Sequence, residues 1–338
     1  MSSTQRFLVT GGAGFIGSHM VLALRDQGAE VVVLDNLCNG HAAAVPAGVR
    51  LVVADLRDAP AVREVVAEGA WDAVFHFAAL SLVGDSMQAP FTYFRANVVG
   101  GLNLIEACVS AGVRRFVLSS TANLFGAPAA IPIPDGAAIQ PSSPYGESKR
   151  MLEQMLHWAD ALHGMHSACL RYFNAAGADP GGRAGEDHRP ETHLIPAAID
   201  AALGRRPPLA VFGDDYPTAD GTCIRDYVHV TDLVQAHLHV LPGLGGGSMA
   251  LNVGTGRGYS VREVIAAVAR VTGRAVPIVA APRRAGDPAI LVADARRLRE
   301  LTGWTPRLTD LDAMVRTAHA WRVSHPRGYE EEGKARDR

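Results

Sequence analysis

Short apolar runs rich in β-branched residues recur through the first half of the chain: RFLVT (6–10), VVVLD (31–35), VRLVVAD (49–55), AVFHFAA (73–79), RFVLSS (115–120) and ACLRYF (168–173). None shows the strict alternation of a half-exposed strand, and continuous runs of this length fit strands buried on both faces of a parallel sheet. Between them, apolar positions recur at helical spacing, as over 16–26 and 97–109. Strand and helix therefore alternate, which predicts an α/β protein built on a Rossmann-type doubly wound parallel sheet.

The texture changes after Asn174, where ADPGGRAGEDHRPETH is rich in Gly, Pro and charge and leads into shorter elements. The expected division is a sheet domain over 1–174 and a smaller α/β domain over 175–338. Residues from about 225 to 256, including IRDYVHV and ALNVG, regain strand and helix texture and are expected to pack back onto the first sheet. LPGLGGGS (241–248) reads as a glycine linker, since it lacks the Lys-Ser/Thr ending of a phosphate loop. The charged tail EEGKARDR (331–338) reads as frayed.

At 338 residues and 48% hydrophobic, the chain can bury a large core. Its net charge of -2 supplies no field for nucleic acid or a membrane surface. Cys38, Cys108, Cys169 and Cys223 are far apart and form no CxxC pair, which argues against a disulfide framework and a thiolate metal site. With no signal-peptide pattern and no long apolar run, the expected location is the cytoplasm.

Chemistry enters with Thr10-Gly11-Gly12-Ala13-Gly14-Phe15-Ile16-Gly17, directly after the first predicted strand and at the start of a predicted helix. Glycines at 11, 14 and 17 allow a tight turn, close approach of a pyrophosphate and close helix-to-strand packing, while the helix N-terminus receives the phosphates. Asp35 ends the second predicted strand 18 residues beyond Gly17, near the spacing of an acidic residue that accepts from the adenosine ribose hydroxyls. Its charge repels a 2′-phosphate, so NAD is preferred over NADP. Asp55, ending the third run, is placed to meet the adenine in the same crevice.

In Ser143-Pro144-Tyr145-Gly146-Glu147-Ser148-Lys149, a Ser cap followed by Pro predicts a helix start with Tyr145 in its first turn. Four residues bring Tyr145 and Lys149 onto one face, where the ammonium and the helix N-terminus both favour phenolate. Lowering a tyrosine by roughly three units takes about 4 kcal/mol, more than one lysine is expected to supply, and a cationic nicotinamide ring would add to it. Ser119-Ser120-Thr121 ends the preceding strand and offers a hydroxyl beside Tyr145.

TGGAGFIGSH, LDNLCNG, HFAAL, SPYGESK, LRYFNAAGADP, GEDHRPETHLIP, VFGDDYPTADGT, IRDYVHV and APRRAGD occur in an order that resembles the UDP-glucose 4-epimerases of the extended short-chain dehydrogenase/reductase family, over nearly the whole chain. The resemblance implies an NAD-binding first domain and a UDP-sugar-binding second one. It implies that Tyr145 takes the proton of the sugar 4-hydroxyl while C4 gives its hydride to tightly bound NAD, and that the 4-keto sugar turns and is reduced on its other face. UDP-glucose and UDP-galactose would thereby interconvert. Thr121 then holds the place of the catalytic Ser/Thr, Lys149 tunes Tyr145 and holds the nicotinamide ribose, and no metal is required.

The same resemblance assigns cofactor contacts to Gly11, Gly14, Phe15, Ile16, Gly17, Asp35, Asn36, Asn39, Asp55, Leu56, Phe77, Ala78, Asn97 and Tyr172, with Tyr145 and Lys149. The UDP-sugar side falls to Asn174, Leu194, Phe212, Arg225, Arg284, Asp287 and Leu291, with Thr121 and Tyr145. Two arginines suit a diphosphate, and an aspartate can accept from ribose hydroxyls.

Three positions depart from some relatives. Ser81 replaces a common lysine near the cofactor, Phe125 a frequent tyrosine, and Leu291 a bulky aromatic that narrows the sugar pocket. Leu291 leaves room for an N-acetylhexosamine nucleotide as a side substrate. A dehydratase of the same superfamily would need Asp-Glu after the active-site threonine, where this chain has Ala122 and Asn123. UDP-glucuronate 4-epimerisation is the nearer alternative, although RYFNAAGA reads like the glucose and galactose enzymes; a non-catalytic NAD sensor would be free to lose Tyr145 or Lys149. His229, His237 and His239 read as packing or surface histidines, since 237 and 239 point to different helix faces. On the Tyr145 helix, Leu152 and Leu156 continue the face toward the sheet, while Met151, Met155, Trp158 and Leu162 form an adjacent apolar stripe. That wide arc predicts a homodimer.

Overall fold

Seven parallel strands form the main sheet of the computed structural model, which describes residues 4–126, 128–284 and 287–329. The first six follow in turn: β1 (Arg6–Thr10), β2 (Glu30–Asp35), β3 (Arg50–Val53), β4 (Ala73–His76), β5 (Arg115–Thr121) and β6 (His166–Tyr172). After β7 (Asn174–Ala176), β8 (Leu209–Phe212) and β9 (Ile224–His229), the seventh, β10 (Met249–Val253), adds to the edge. The order is β10-β6-β5-β4-β1-β2-β3, so the chain reverses its direction of winding beside β1 and opens a crevice at the carboxyl ends of the strands. The runs at 49–55 and 73–79 leave the sheet early, at Val53 and His76, which puts Asp55, Phe77 and Ala78 just past the strand ends.

Alternate residues of each strand feed opposite layers. Phe7, Val9, Val31 and Val33 pack under Met20, Val21 and Leu24 of α1 (Phe15–Asp26), whereas Leu8, Val32 and Leu34 face Val62 and Val65 of α2 (Ala59–Ala67). Beyond α3 (Val83–Gln88) and α4 (Pro90–Tyr93), a π-helical stretch at Phe94–Val99 leads into α5 (Gly100–Ser110). The helix expected over 97–109 is thus irregular at its start. Leu104 of α5 shares its layer with Leu152 and Leu156 of α6 (Pro144–His163).

The second region holds α7 (Leu194–Ala202), α8 (Val230–His239), β11 (Gly258–Ser260), α9 (Val261–Thr272), β12 (Ile278–Ala281), β13 (Ile290–Leu291), α10 (Arg296–Thr302) and α11 (Leu311–Ser324). β9 is flanked by β11 and β13 and also pairs with β7, while β8 pairs with β12. A separate core joins Ile195 and Ile199 of α7 to Val264 and Val268 of α9 and Met314 and Val315 of α11. The stretch from 225 to 256 is divided between the two regions: β9 serves the small sheet, whereas Leu233 and Val234 of α8 and Leu251 and Val253 of β10 pack in the main core. Within 241–248, Pro242–Gly245 forms a 3-10 turn with Leu244 buried. The tail at 331–338 lies outside the described residues. Among those described, no helix is long and apolar enough to cross a membrane, and the four cysteines are free.

Candidate active site

The glycine loop spans the end of β1 and the start of α1. Gly11 has a left-handed φ of +73°, and a Cβ there would lie 2.4 Å from Ala78 N; one on Gly17 would lie 2.0 Å from Gly11 O. Both glycines are required by the fold itself. At Gly14 an added Cβ would meet only Gly11 O, tightly at 3.3 Å, and no other atom within 4 Å. Gly14 also stands at the N-cap of α1 with no side-chain cap and no acidic residue in the first turn, which Phe15 and Ile16 begin. A helix start without a side-chain cap suits an anionic phosphate.

Asp35 closes β2 and is buried, with Oδ2 accepting from Ala13 N at 3.0 Å and Oδ1 from Leu37 N at 2.8 Å. Burial raises its pKa, and those two bonds oppose the rise. Asn36 and Asn39 are exposed on the following turn. Asn36 donates to Asp55 Oδ2 at 2.9 Å, and Arg57 grips the same carboxylate through Nε and Nη2 at 2.9 and 2.8 Å, holding it well below the usual carboxylate range. Asp55 is therefore tied within the protein by Asn36 and Arg57. The Leu56 carbonyl accepts from Asn103 at 2.9 Å. Phe77 stacks 4.9 Å from His237, and Ala78 backs onto Gly11 through its bond to Thr10 O at 3.1 Å.

Ser143 caps α6, accepting from Gly146 N at 3.1 Å, and Pro144 occupies the first turn. Tyr145 and Lys149 follow, both buried against the carboxyl half of β5. The Lys149 ammonium donates to Ser119 O at 2.8 Å, and burial lowers its pKa to about 8. For Tyr145 burial is the larger influence and raises the phenol, while a hydrogen bond with Thr121 pulls it down. Expected tuning by Lys149 is not what dominates in the chain alone, because the ammonium is aimed at the β5 backbone. Thr121 Oγ1 also accepts from Asn123 N and Nδ2, both at 3.1 Å. Tyr172, opposite Thr121 in the register, bonds to the Ser119 hydroxyl.

Asn97 has its polar atoms engaged within the chain. It is buried in the π-helical stretch, donates to Leu80 O and Ser148 Oγ at 3.0 Å each, and accepts from Leu80 N at 2.8 Å. Both amide donors are spent on tying the loop after β4 to α6, so it positions the site from behind. The sequence reading also missed Glu153, which accepts from Ser120 at 2.6 Å and from Arg171 Nε and Nη2 at 3.0 and 2.6 Å. A glutamate four residues after Lys149 on the inward face was the available signal.

On the substrate side, Arg225 pairs with Asp287 and donates to the carbonyls of Ile224 and Pro288 at 2.7 and 2.8 Å. The Arg284 guanidinium lies 4.0 Å over the Phe212 ring. Arg225 is opposite Leu291 in the register of β9 and β13. Leu291 in turn packs with Ala122, Phe125 and Ile133 just past Thr121, so two of the departures share one apolar cluster. Asn174 begins β7 and Leu194 begins α7, both half-buried; Ser81 is exposed. Ala285 and Gly286 of the APRRAGD motif lie outside the described residues. His229 bonds to Thr231 and Thr317, His237 to Leu233 O and His239 to Thr302 O, so the three serve separate structural contacts.

The model of the NAD dependent epimerase/dehydratase family matches residues 7–254. The chain is 48% identical over 329 residues to the UDP-glucose 4-epimerase of Halalkalibacterium halodurans, covering 97% of this chain and 98% of that one. It is 50% identical over 325 residues to the Azospirillum brasilense UDP-glucose 4-epimerase, covering 96% and 93%. The crystal structure of UDP-glucose 4-epimerase from Brucella ovis in complex with NAD is similar at a TM-score of 0.90 and 45% identity, covering 94% of this chain and 98% of that one. The chain belongs to the NAD dependent epimerase/dehydratase family and, within it, to the UDP-glucose 4-epimerases.

Proposed function

We propose that this chain interconverts UDP-glucose and UDP-galactose by inverting C4 of the hexose, with NAD as cofactor and Tyr145 as the acid and base. The observation that carries the reading is the buried meeting of Tyr145 with Thr121 at the carboxyl end of β5, beside Lys149 and the crevice that begins at Gly14. The missing side chain at Gly14, the uncapped start of α1 and the buried Asp35 suit a dinucleotide. Bound there, NAD supplies the hydride acceptor for C4 and a positive ring that favours the phenolate.

Tyr145 takes the proton from the 4-hydroxyl and returns it after the sugar has turned, while Thr121 orients the reacting oxygen. Burial excludes water that would otherwise compete for the proton. Arg225, already aimed by two carbonyls, exchanges Asp287 for a phosphate of the UDP, which frees Asp287 to accept from ribose hydroxyls. Arg284 with Phe212 completes that end.

The small side chain at Leu291 supports a side activity on UDP-N-acetylhexosamines. Comparing kcat/KM on UDP-galactose, UDP-N-acetylgalactosamine and UDP-galacturonate tests both readings. UDP-galactose is expected to lead with measurable turnover of the acetylated sugar; a preference for the uronate overturns the main reading, and no acetylated turnover overturns the side activity.

The active unit is proposed to be a homodimer through α6. Trp158 and Leu162 are 61% and 68% exposed, and Phe91 near the same face is 72% exposed. Three large apolar side chains in water favour a covering partner.

A further inference from the structure

The loop leading into α7 gathers Glu186, His188, Glu191 and His193, and one ligand atom from each lies within 4.8 Å of all the others. Their separations bracket the donor-to-donor spacing around a single ion. Glu186 Oε1 is 3.2 Å from His188 Nδ1 and 2.8 Å from His193 Nδ1; Glu191 Oε1 is 3.3 Å from His193 Nδ1, and Oε2 is 3.9 Å from His188 Nδ1. Four donors about 2.0–2.1 Å from a tetrahedral ion would be roughly 3.3 Å apart. Yet His188 Nδ1, His193 Nδ1 and Glu191 Oε2 are buried atoms without a hydrogen-bond partner, and the Glu191 side chain is only 7% exposed. Buried polar atoms left unpaired this close together need another partner.

Arg322 Nη1 lies 3.8 Å from Glu191 Oε2 and is engaged by Asp200. The donors, two nitrogens and two oxygens with no thiolate, suit zinc and similar divalent transition ions better than magnesium or calcium.

We infer that Glu186, His188, Glu191 and His193 form a structural site for one zinc-class divalent cation. The position explains what such an ion would fix. The His188 ring packs edge-on at 6.5 Å against Phe15, the first residue of α1, and His193 is the N-cap residue of α7, immediately before Leu194. A clamp there holds the loop of the second region against the start of the helix that borders the nucleotide crevice. The site adds to the proposed reaction without taking part in it.

Zinc chloride titrated by calorimetry into chelator-treated, desalted full-length protein is expected to bind once per chain and to raise the thermal midpoint. His188→Ala combined with His193→Ala should abolish the binding, and Glu191→Gln, which keeps size and is checked for fold by circular dichroism, should weaken it at least tenfold. Magnesium chloride should give no comparable binding. Absence of saturable zinc binding by the intact protein overturns the inference, as does unchanged zinc affinity in a folded Glu191→Gln variant; should the double histidine variant fail to fold, Glu191→Gln alone decides.

Discussion

The Lys149 ammonium donates to the carbonyl of Ser119 at 2.8 Å, so α6 is fastened to β5 at the point where the strand delivers Thr121 to Tyr145. The lysine is a spacer and a charge held in place by the sheet. Its burial lowers its pKa from 10.5 to about 8. Between those values the unfolded chain keeps the proton and the folded chain releases it. The burial penalty, on the order of 3 kcal/mol, therefore acts fully below pH 8 and is relieved as pH rises toward 10.5. Lys149→Met should remove this rise in stability over pH 8–10.5, as read by denaturant unfolding at several pH values, and should lower kcat.

Tyr145→Phe keeps the ring and its packing and removes only the phenol. Turnover of UDP-galactose should fall by roughly 10²–10⁴, while NAD binding followed by protein fluorescence stays intact. Full activity in this variant would exclude Tyr145 as acid and base.

Gly14 and Gly17 should separate ligand binding from folding. A Cβ at Gly14 meets only Gly11 O, at 3.3 Å, so Gly14→Ala should lower the melting temperature only slightly and weaken NAD by tenfold or more, about 1.4 kcal/mol. Gly17→Ala drives a Cβ to 2.0 Å from Gly11 O and should lower the melting temperature markedly as well.

Beneath the site, Glu153 joins Arg171 and Ser120, with the Arg171 side chain only 7% exposed. Glu153→Ala strands a buried guanidinium and should cost about 3–5 kcal/mol in urea unfolding. A loss under 1 kcal/mol would show that Arg171 finds another acceptor, its Asp135 carbonyl contact at 3.0 Å being the nearest.

Trp158→Asp places a charge on the exposed stripe of α6. Light scattering at micromolar concentration should report a dimer for the natural sequence and a monomer for the variant. A natural chain that is already monomeric removes the proposed assembly.

Much of this was legible in the residue order because its causes are local. Buried parallel strands must be apolar throughout, so β1 to β6 announced themselves; Gly17 is dictated by a contact within its own turn, and Ser143 with Pro144 starts α6 by capping alone. Glu153 was missed, and the internal bonds of Asn97 and Asp55 were not legible, because hydrogen-bond partners do not follow sequence distance. Asn97 reaches Ser148, Asp55 is claimed by Arg57 and Asn36, and Glu153 answers an arginine on the next strand.

By itself, the sequence determined the alternation of strand and helix, the nucleotide loop and the pairing of Tyr145 with Lys149 on one helical face. Only the tertiary structure decided that Lys149 points at Ser119, that Leu291 and Phe125 share a cluster, and that Glu186, His188, Glu191 and His193 converge. The reason is physical: backbone periodicity and caps act over a few residues, whereas the direction of a side chain is settled by what the rest of the chain brings against it.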